Sequence, residues 1–160
     1  MSILPAPIAG QIVSCLFPLE GTDIPGDKIR PVLIIAVFED VDEVLVAYGT
    51  SNKTSVTPGS PILQPYQIEI DPSSVYGKSS GLKYVTRFNF RRAIPIKYNS
   101  TWFKPFPGKK TISVGALHKY LFNSVYQAYQ HALPFLNKAS INKVGISSPI
   151  VRVKRKNKFK

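Results

Sequence analysis

The sequence is short of the residues that build most familiar sites. It has one cysteine, Cys15, and two histidines, His118 and His131, in 160 residues. One cysteine forms no intrachain disulfide and points to a reducing compartment. The three residues together cannot supply an ordinary zinc site. There is no glycine-rich phosphate loop and no serine in a G-x-S-x-G elbow, which excludes P-loop and α/β-hydrolase chemistry. No apolar run approaches the length needed to span a bilayer. "IVSC" (12–15) has the look of a lipoprotein cleavage site, but no Lys or Arg precedes it and Pro5, Pro7 and Gly10 interrupt the apolar stretch. A signal peptide needs both features, so a cytoplasmic protein without membrane contact is expected.

The largest deficit is of one charge sign in one half of the chain. Residues 72–160 contain no carboxylate side chain and eighteen basic ones, a net of +18. Residues 1–71 hold all nine acids and three basic residues, a net of −6. A soluble surface ordinarily mixes its signs. A segregated charge of this size predicts a polyanionic partner, either nucleic acid or an acidic protein, bound with strong salt dependence.

What is present reads as short strands followed by one helix. "GQIVSCLFP" is a first strand, and "LEGTDIPGDK" a loop. "PVLIIAVF" is an unbroken apolar run of strand length, joined by the acidic turn "EDVDE" to "VLVAYG" in a hairpin. The cluster Glu39, Asp40, Asp42 and Glu43 is then an edge-protecting turn in preference to a metal site. "TSNKTSVTPGSP" is a polar loop. "YQIEI" alternates, with Tyr66, Ile68 and Ile70 on one face. "LKYVTRFNF" also alternates, with Leu82, Tyr84, Thr86, Phe88 and Phe90 opposite Lys83, Val85, Arg87 and Asn89. "AIPIKY" reads as a short edge strand because Pro95 has no N–H for a ladder.

Past Trp102 the period changes. Val114, Leu117, Leu121, Val125, Ala128 and Ala132 recur at spacings of three and four, which predicts a helix with Ser113 as N-cap and Pro134 at its end. Its aromatics Tyr120, Phe122, Tyr126 and Tyr129 are expected to pack on the sheet. The tail "VRVKRKNKFK" carries six basic residues in ten and is expected to be extended or disordered. The expected fold is mainly β: a small, strongly curved antiparallel sheet or barrel with a C-terminal helix and a basic tail.

The chemistry centres on strand ends. Arg30 opens the second strand, and Thr50 and Ser51 close the third. A hairpin between those strands brings the cation beside two hydroxyls. A guanidinium binds phosphate bidentately and stabilises charge that builds on it. Such a set suits a phosphodiester whose own 2′-hydroxyl is the nucleophile, a reaction that needs no metal or other cofactor. A plain strand-opening arginine and polar turn would look the same.

In order along the chain, "GQIV", "IRPVLII", "VAYGTSNK", "YQIEI" and "GLKYVTRFNF" resemble the MazF/PemK-type toxins of bacterial toxin–antitoxin systems. The likeness covers about residues 8–98, and the helix matches in kind. The resemblance implies an SH3-like barrel with a C-terminal helix over residues 1–135, with 136–160 a basic extension. It implies a homodimeric, metal-independent endoribonuclease that cuts single-stranded RNA to 2′,3′-cyclic phosphate and 5′-hydroxyl ends, and an acidic antitoxin that occupies the same groove. Carried over to this sequence, Arg30 would be the catalytic arginine. Thr50 would hold the scissile phosphate with help from Ser51, and Lys53 and Arg87 would contact RNA. The chain departs from the family in carrying Tyr48-Gly49-Thr50 where many members have Pro-Ile-Thr. It also lacks the acidic and amide residues common in the later strand. A non-catalytic module on the same barrel would instead bind nucleic acid through Lys83, Arg87, Arg91, Arg92 and the tail.

Overall fold

The computed structural model describes residues 4–18, 22, 24–51, 62–136, 146, 147 and 150. The chain runs β1 (Gln11–Cys15), β2 (Arg30–Phe38), β3 (Glu43–Thr50), β4 (Gln67–Ile70), β5 (Thr86–Lys97), β6 (Ser113–Ala116), α1 (Phe122–Ala132) and β7 (Ile146–Ser147). One antiparallel sheet has the order β4-β5-β3-β2-β1-β6, with β7 paired to β2 beside β1. It curls into a half-barrel with the helix against one face, the mainly β fold that the alternation predicts.

The β2–β3 hairpin closes through a short 3-10 turn at Glu39–Val41, where Asp42 takes a left-handed conformation (φ 55°). An aspartate tolerates that backbone better than most residues. The sheet is buried on both faces, which is why β2 is apolar without alternation. Leu33, Ile35, Ala47, Phe88 and Phe90 face the helix residues Val125, Ala128, Tyr129 and Ala132. Val13, Cys15, Val32, Ile34 and Val46 face the opposite way and are covered by Phe17, Trp102, Phe103 and Ile112. Alternation in "YQIEI" and "TRFNF" holds: Ile68, Ile70, Thr86, Phe88 and Phe90 are buried, while Glu69 is exposed.

Three expectations are corrected. Ser113 is not a helix cap. Residues Ser113–Ala116 form β6, paired with β1, and the helix begins only at Phe122. Gly115 explains the difference: its Cα lies so close to the Ser80 carbonyl that a Cβ would come within 2.2 Å of that oxygen. Extended backbone with no side chain fits there. "AIPIKY" is not a separate short strand but the second half of β5, paired on one side with β3, and its edge character holds. Pro95 is accommodated because β4 pairs only with residues Thr86–Asn89, leaving one side of β5 without a ladder at Pro95. Of the four aromatics, Tyr129 is fully buried and Tyr126 partly so, but Tyr120 is 65% exposed and precedes the helix.

The connection between β4 and β5 does more than join them. It leaves the β4 edge, reaches β6 through a hydrogen bond from Ser79 Oγ to the Ala116 carbonyl (2.9 Å), and returns to β5. Gly81 is required at this crossing. Its φ is +67°, and a Cβ would stand 1.9 Å from the Val114 carbonyl oxygen. Of the proposed extension, Ile146 and Ser147 pair with Phe38 and Val37, and the Ile150 N–H donates to the Ile35 carbonyl. Its basic end, 151–160, lies outside the described residues.

Candidate nucleic-acid site

Sheet register decides which polar residues meet. Val32 stands opposite Tyr48, so the same register carried two residues further sets Arg30 opposite Thr50. Thr50 is paired with Arg87, and Arg87 with Glu69. Directly opposed residues in antiparallel strands share a face and lie about 5 Å apart. The outcome is a transverse row, Arg30–Thr50–Arg87–Glu69, across β2, β3, β5 and β4. Arg87 Nε donates to Glu69 Oε1 at 2.9 Å, which fixes the plane of that guanidinium. The next row inward continues the polar surface with Tyr48, Asn89 and Gln67.

A second arginine converges on Arg30. The Arg30 guanidinium lies 5.1 Å from the Tyr48 ring centre, and that of Arg92 lies 5.3 Å from the same ring and 5.2 Å from Phe17. Arg92 also donates to the Pro18 carbonyl. Among the described residues neither guanidinium has a carboxylate partner. Each guanidinium lies within cation–π range of the same ring, whose electron-rich π system favours both.

Arg92 reaches this position through a bulge. Between the pairs Tyr48–Asn89 and Val46–Ile94, β3 spends one residue and β5 spends four. The extra residues release the strict alternation of the strand. Arg92 therefore turns toward Tyr48, while neighbouring Arg91 turns to Tyr66 and Phe135, 5.1 and 4.0 Å from their ring centres. Arg91 is thus separate from the Arg30 row.

Beside the row lies a cleft of about 830 Å³. Arg30, Lys83 and Lys109 line it with Ser51, Tyr84, Thr86, Thr111 and Ser113, and among the described residues no carboxylate takes part. Gly49 forms part of its wall. A Cβ there would come within 2.8 Å of the Phe88 ring and 3.0 Å of the Pro31 carbonyl, so only glycine lets β3 pass so close. Ser51 faces this cleft, whereas Thr50, one residue earlier, faces the row. Arg30 belongs to both.

The sequence-predicted residues therefore divide. Arg30, Thr50 and Arg87 share a row, Arg92 joins Arg30, and Ser51 and Lys83 line the adjoining cleft. Arg91 stands apart, and Lys53 lies outside the described residues. Sequence reasoning missed Tyr48, Phe17, Asn89 and Lys109. Tyr48 was visible as an aromatic at a strand end; the others depend on register and loop packing. Among the described residues no three His, Cys, Asp or Glu side chains are grouped to hold a metal ion, including the acidic turn at Glu39–Glu43. No helix among them is long and apolar enough to cross a membrane.

No family model matches the chain, and no curated protein matches it. Solved structures do. A mycobacterial endoribonuclease in complex with its cognate antitoxin is similar at a TM-score of 0.52 and 16% identity, over 82% of this chain and 99% of that one. A second mycobacterial endoribonuclease is similar at a TM-score of 0.50 and 15% identity, over 83% and 96%. At such identities the likeness is one of fold, and it is the fold that the family resemblance implies.

Proposed function

We propose that this chain is an endoribonuclease toxin that cuts single-stranded RNA without a metal. The observation that carries the reading is the convergence of Arg30, Thr50, Arg87 and Arg92 on one end of a sheet whose fold is shared with endoribonucleases. Sheet register and the bulge in β5 bring them there, from three different strands.

In this reading the scissile phosphate sits over Thr50, between the guanidiniums of Arg30 and Arg87. The Thr50 hydroxyl donates to one phosphate oxygen. The neighbouring 2′-oxygen attacks phosphorus, the bond from phosphorus to the 5′-oxygen breaks, and a 2′,3′-cyclic phosphate closes. The 2′-hydroxyl loses its proton to water and the departing 5′-oxygen gains one. Extra negative charge develops on the phosphorane, and Arg30 opposes it at closest range. Lys83, Lys109 and Ser51 bind the flanking backbone in the cleft, and Lys53 extends that contact. The protein acts as a cytoplasmic homodimer. An acidic antitoxin segment competes with RNA for the same cations, as the sign of residues 72–160 favours.

The deciding experiment incubates the purified protein and its Arg30→Ala variant with end-labelled RNA in EDTA. Discrete cuts ending in cyclic phosphate are expected from the first, with a loss of about 10²- to 10³-fold in the second. Tight RNA binding with no cuts across varied sequences would transfer the site to a binding module. Equal cutting by Arg30→Ala would remove Arg30 from the reaction.

A further inference from the structure

We infer that Tyr76, His118 and Tyr120 form a base-stacking platform for single-stranded RNA leaving the cleft. The inference rests on RNA as the ligand of that cleft. It adds a site on the far side of the β4–β5 crossing, away from the Arg30 row.

The three rings touch one another from two separate segments. Tyr76 lies 4.9 Å from His118 and 5.3 Å from Tyr120 between ring centres, and His118 lies 5.1 Å from Tyr120. The His118 ring is held because its Nδ1 accepts from the Tyr120 N–H at 3.2 Å. Tyr76 is nevertheless 45% exposed and Tyr120 65% exposed. The rings are pre-assembled yet leave much of their surface in water. Exposed aromatic surface of this kind marks a contact site when grouped.

Its charge selects the occupant. Lys119 stands 5.6 Å from the Tyr120 ring centre, and Lys78 is exposed on the turn that follows Tyr76. Asp71 is the nearest carboxylate along the chain. Its side chain accepts from the Ser73 N–H and Ser73 Oγ, and those bonds hold its carboxyl below the usual range. A second copy of this chain would set lysines against lysines across a two-fold axis. A polyanion with flat, apolar bases meets both features at once.

Position gives the direction. The segment with Tyr76 continues through Ser79, which is bonded to Ala116, into Gly81–Tyr84 on the cleft wall. The segment with His118 and Tyr120 follows directly on β6, whose Ser113 and Val114 line the same cleft. Tyr84, 57% exposed with Lys83 5.7 Å from its ring centre, lines the cleft and adds a further exposed ring to it. A strand held by phosphate contacts in the cleft reaches the platform with its bases free to stack.

The test measures binding of a fluorescent 15-nucleotide 2′-O-methyl RNA, which has no nucleophilic hydroxyl, and of heparin, a polyanion without bases. Wild type is compared with Tyr76→Ala/Tyr120→Ala and Tyr76→Phe/Tyr120→Phe. The alanine pair is expected to weaken RNA binding about tenfold or more, the phenylalanine pair to retain it, and heparin binding to stay constant. Unchanged RNA binding by the alanine pair overturns the platform. So does equal weakening toward heparin, which would indicate lost folding or charge. A shift from dimer to monomer with RNA binding intact would assign the rings to an interface between copies, and also overturns it. Wild type that binds the 2′-O-methyl RNA but never cuts ordinary RNA would remove the nuclease reading and leave the platform standing. Wild type that binds neither would remove both.

Discussion

Tyr129 carries a polar atom in an otherwise apolar setting. It is fully buried under the sheet, and its hydroxyl has no hydrogen-bond partner among the described residues. A buried donor left unpaired costs about 1–3 kcal/mol. Tyr129→Phe is therefore expected to leave stability unchanged or raise it by about 1 kcal/mol, checked by the urea midpoint. Arg30 is the opposite case, since its fork geometry is what a phosphate reads. Arg30→Lys keeps the charge but loses the fork, and cleavage is expected to fall at least about tenfold with the melting temperature retained. At this scale the sequence was informative where a residue ends a strand. Arg30, Thr50 and Ser51 could be singled out because each borders an apolar run. Arg92 could not be linked to Arg30, because their meeting on Tyr48 depends on a bulge whose position no alternation announces.

Elements were legible where hydrophobic period and burial agree. The β2–β3 hairpin and the alternating faces of β4 and early β5 follow from apolar runs and turn residues. The prediction failed at β6 because Val114, Leu117 and Leu121 keep helical spacing by coincidence. Tertiary pairing with β1 and the tight crossing at Gly115 override that local pattern. The crossing is also the place where one atom matters most. Gly81→Ala forces a side chain onto a positive φ and into the Val114 carbonyl. The variant is expected to lose at least about 2 kcal/mol of stability in chemical denaturation. It should also weaken RNA binding, because Lys83 and Tyr84 hang from that crossing. Thermal melts and anisotropy on the same sample separate the two effects.

For the whole molecule, charge and burial make different predictions. Phosphate contacts by about four of Arg30, Lys83, Arg87, Arg92 and Lys109 would give a slope near −3 for log affinity against log salt, since each single-strand contact contributes about −0.7. A slope near zero would argue against phosphate as the bound group. Burial sets the alkaline limit. Desolvation pushes the Cys15 thiol from 9.0 up to about 12 and the Tyr98 phenol from 10.0 up to about 12, and it raises Tyr129 in the same direction. The folded chain then holds protons that the unfolded chain has shed. Stability from these groups is fully present below about pH 9 and is lost as pH climbs from 9 toward 12. The melting temperature is expected to fall across that window, and Cys15→Ala should soften its onset. The one-sided charge of residues 72–160 was legible from composition alone. Which of those cations share a surface was not, because β5 supplies several of them and its neighbours in the sheet, β3 and β4, both precede it in the chain.

That strand order also governs when the surface can exist. β5 fills the space between β3 and β4, and β6 closes the far edge against β1. A chain that has emerged from the ribosome only as far as residue 71 carries the acidic half, with β4 lacking its partner and Thr50 lacking Arg87. The Arg30 row becomes complete only when residue 97 is in place, and the cleft only when residue 116 is. At about 5–20 residues per second, those steps come seconds apart. On the proposed function, a nascent chain that has not yet extended past residue 116 has neither the full row nor the cleft with which to hold RNA.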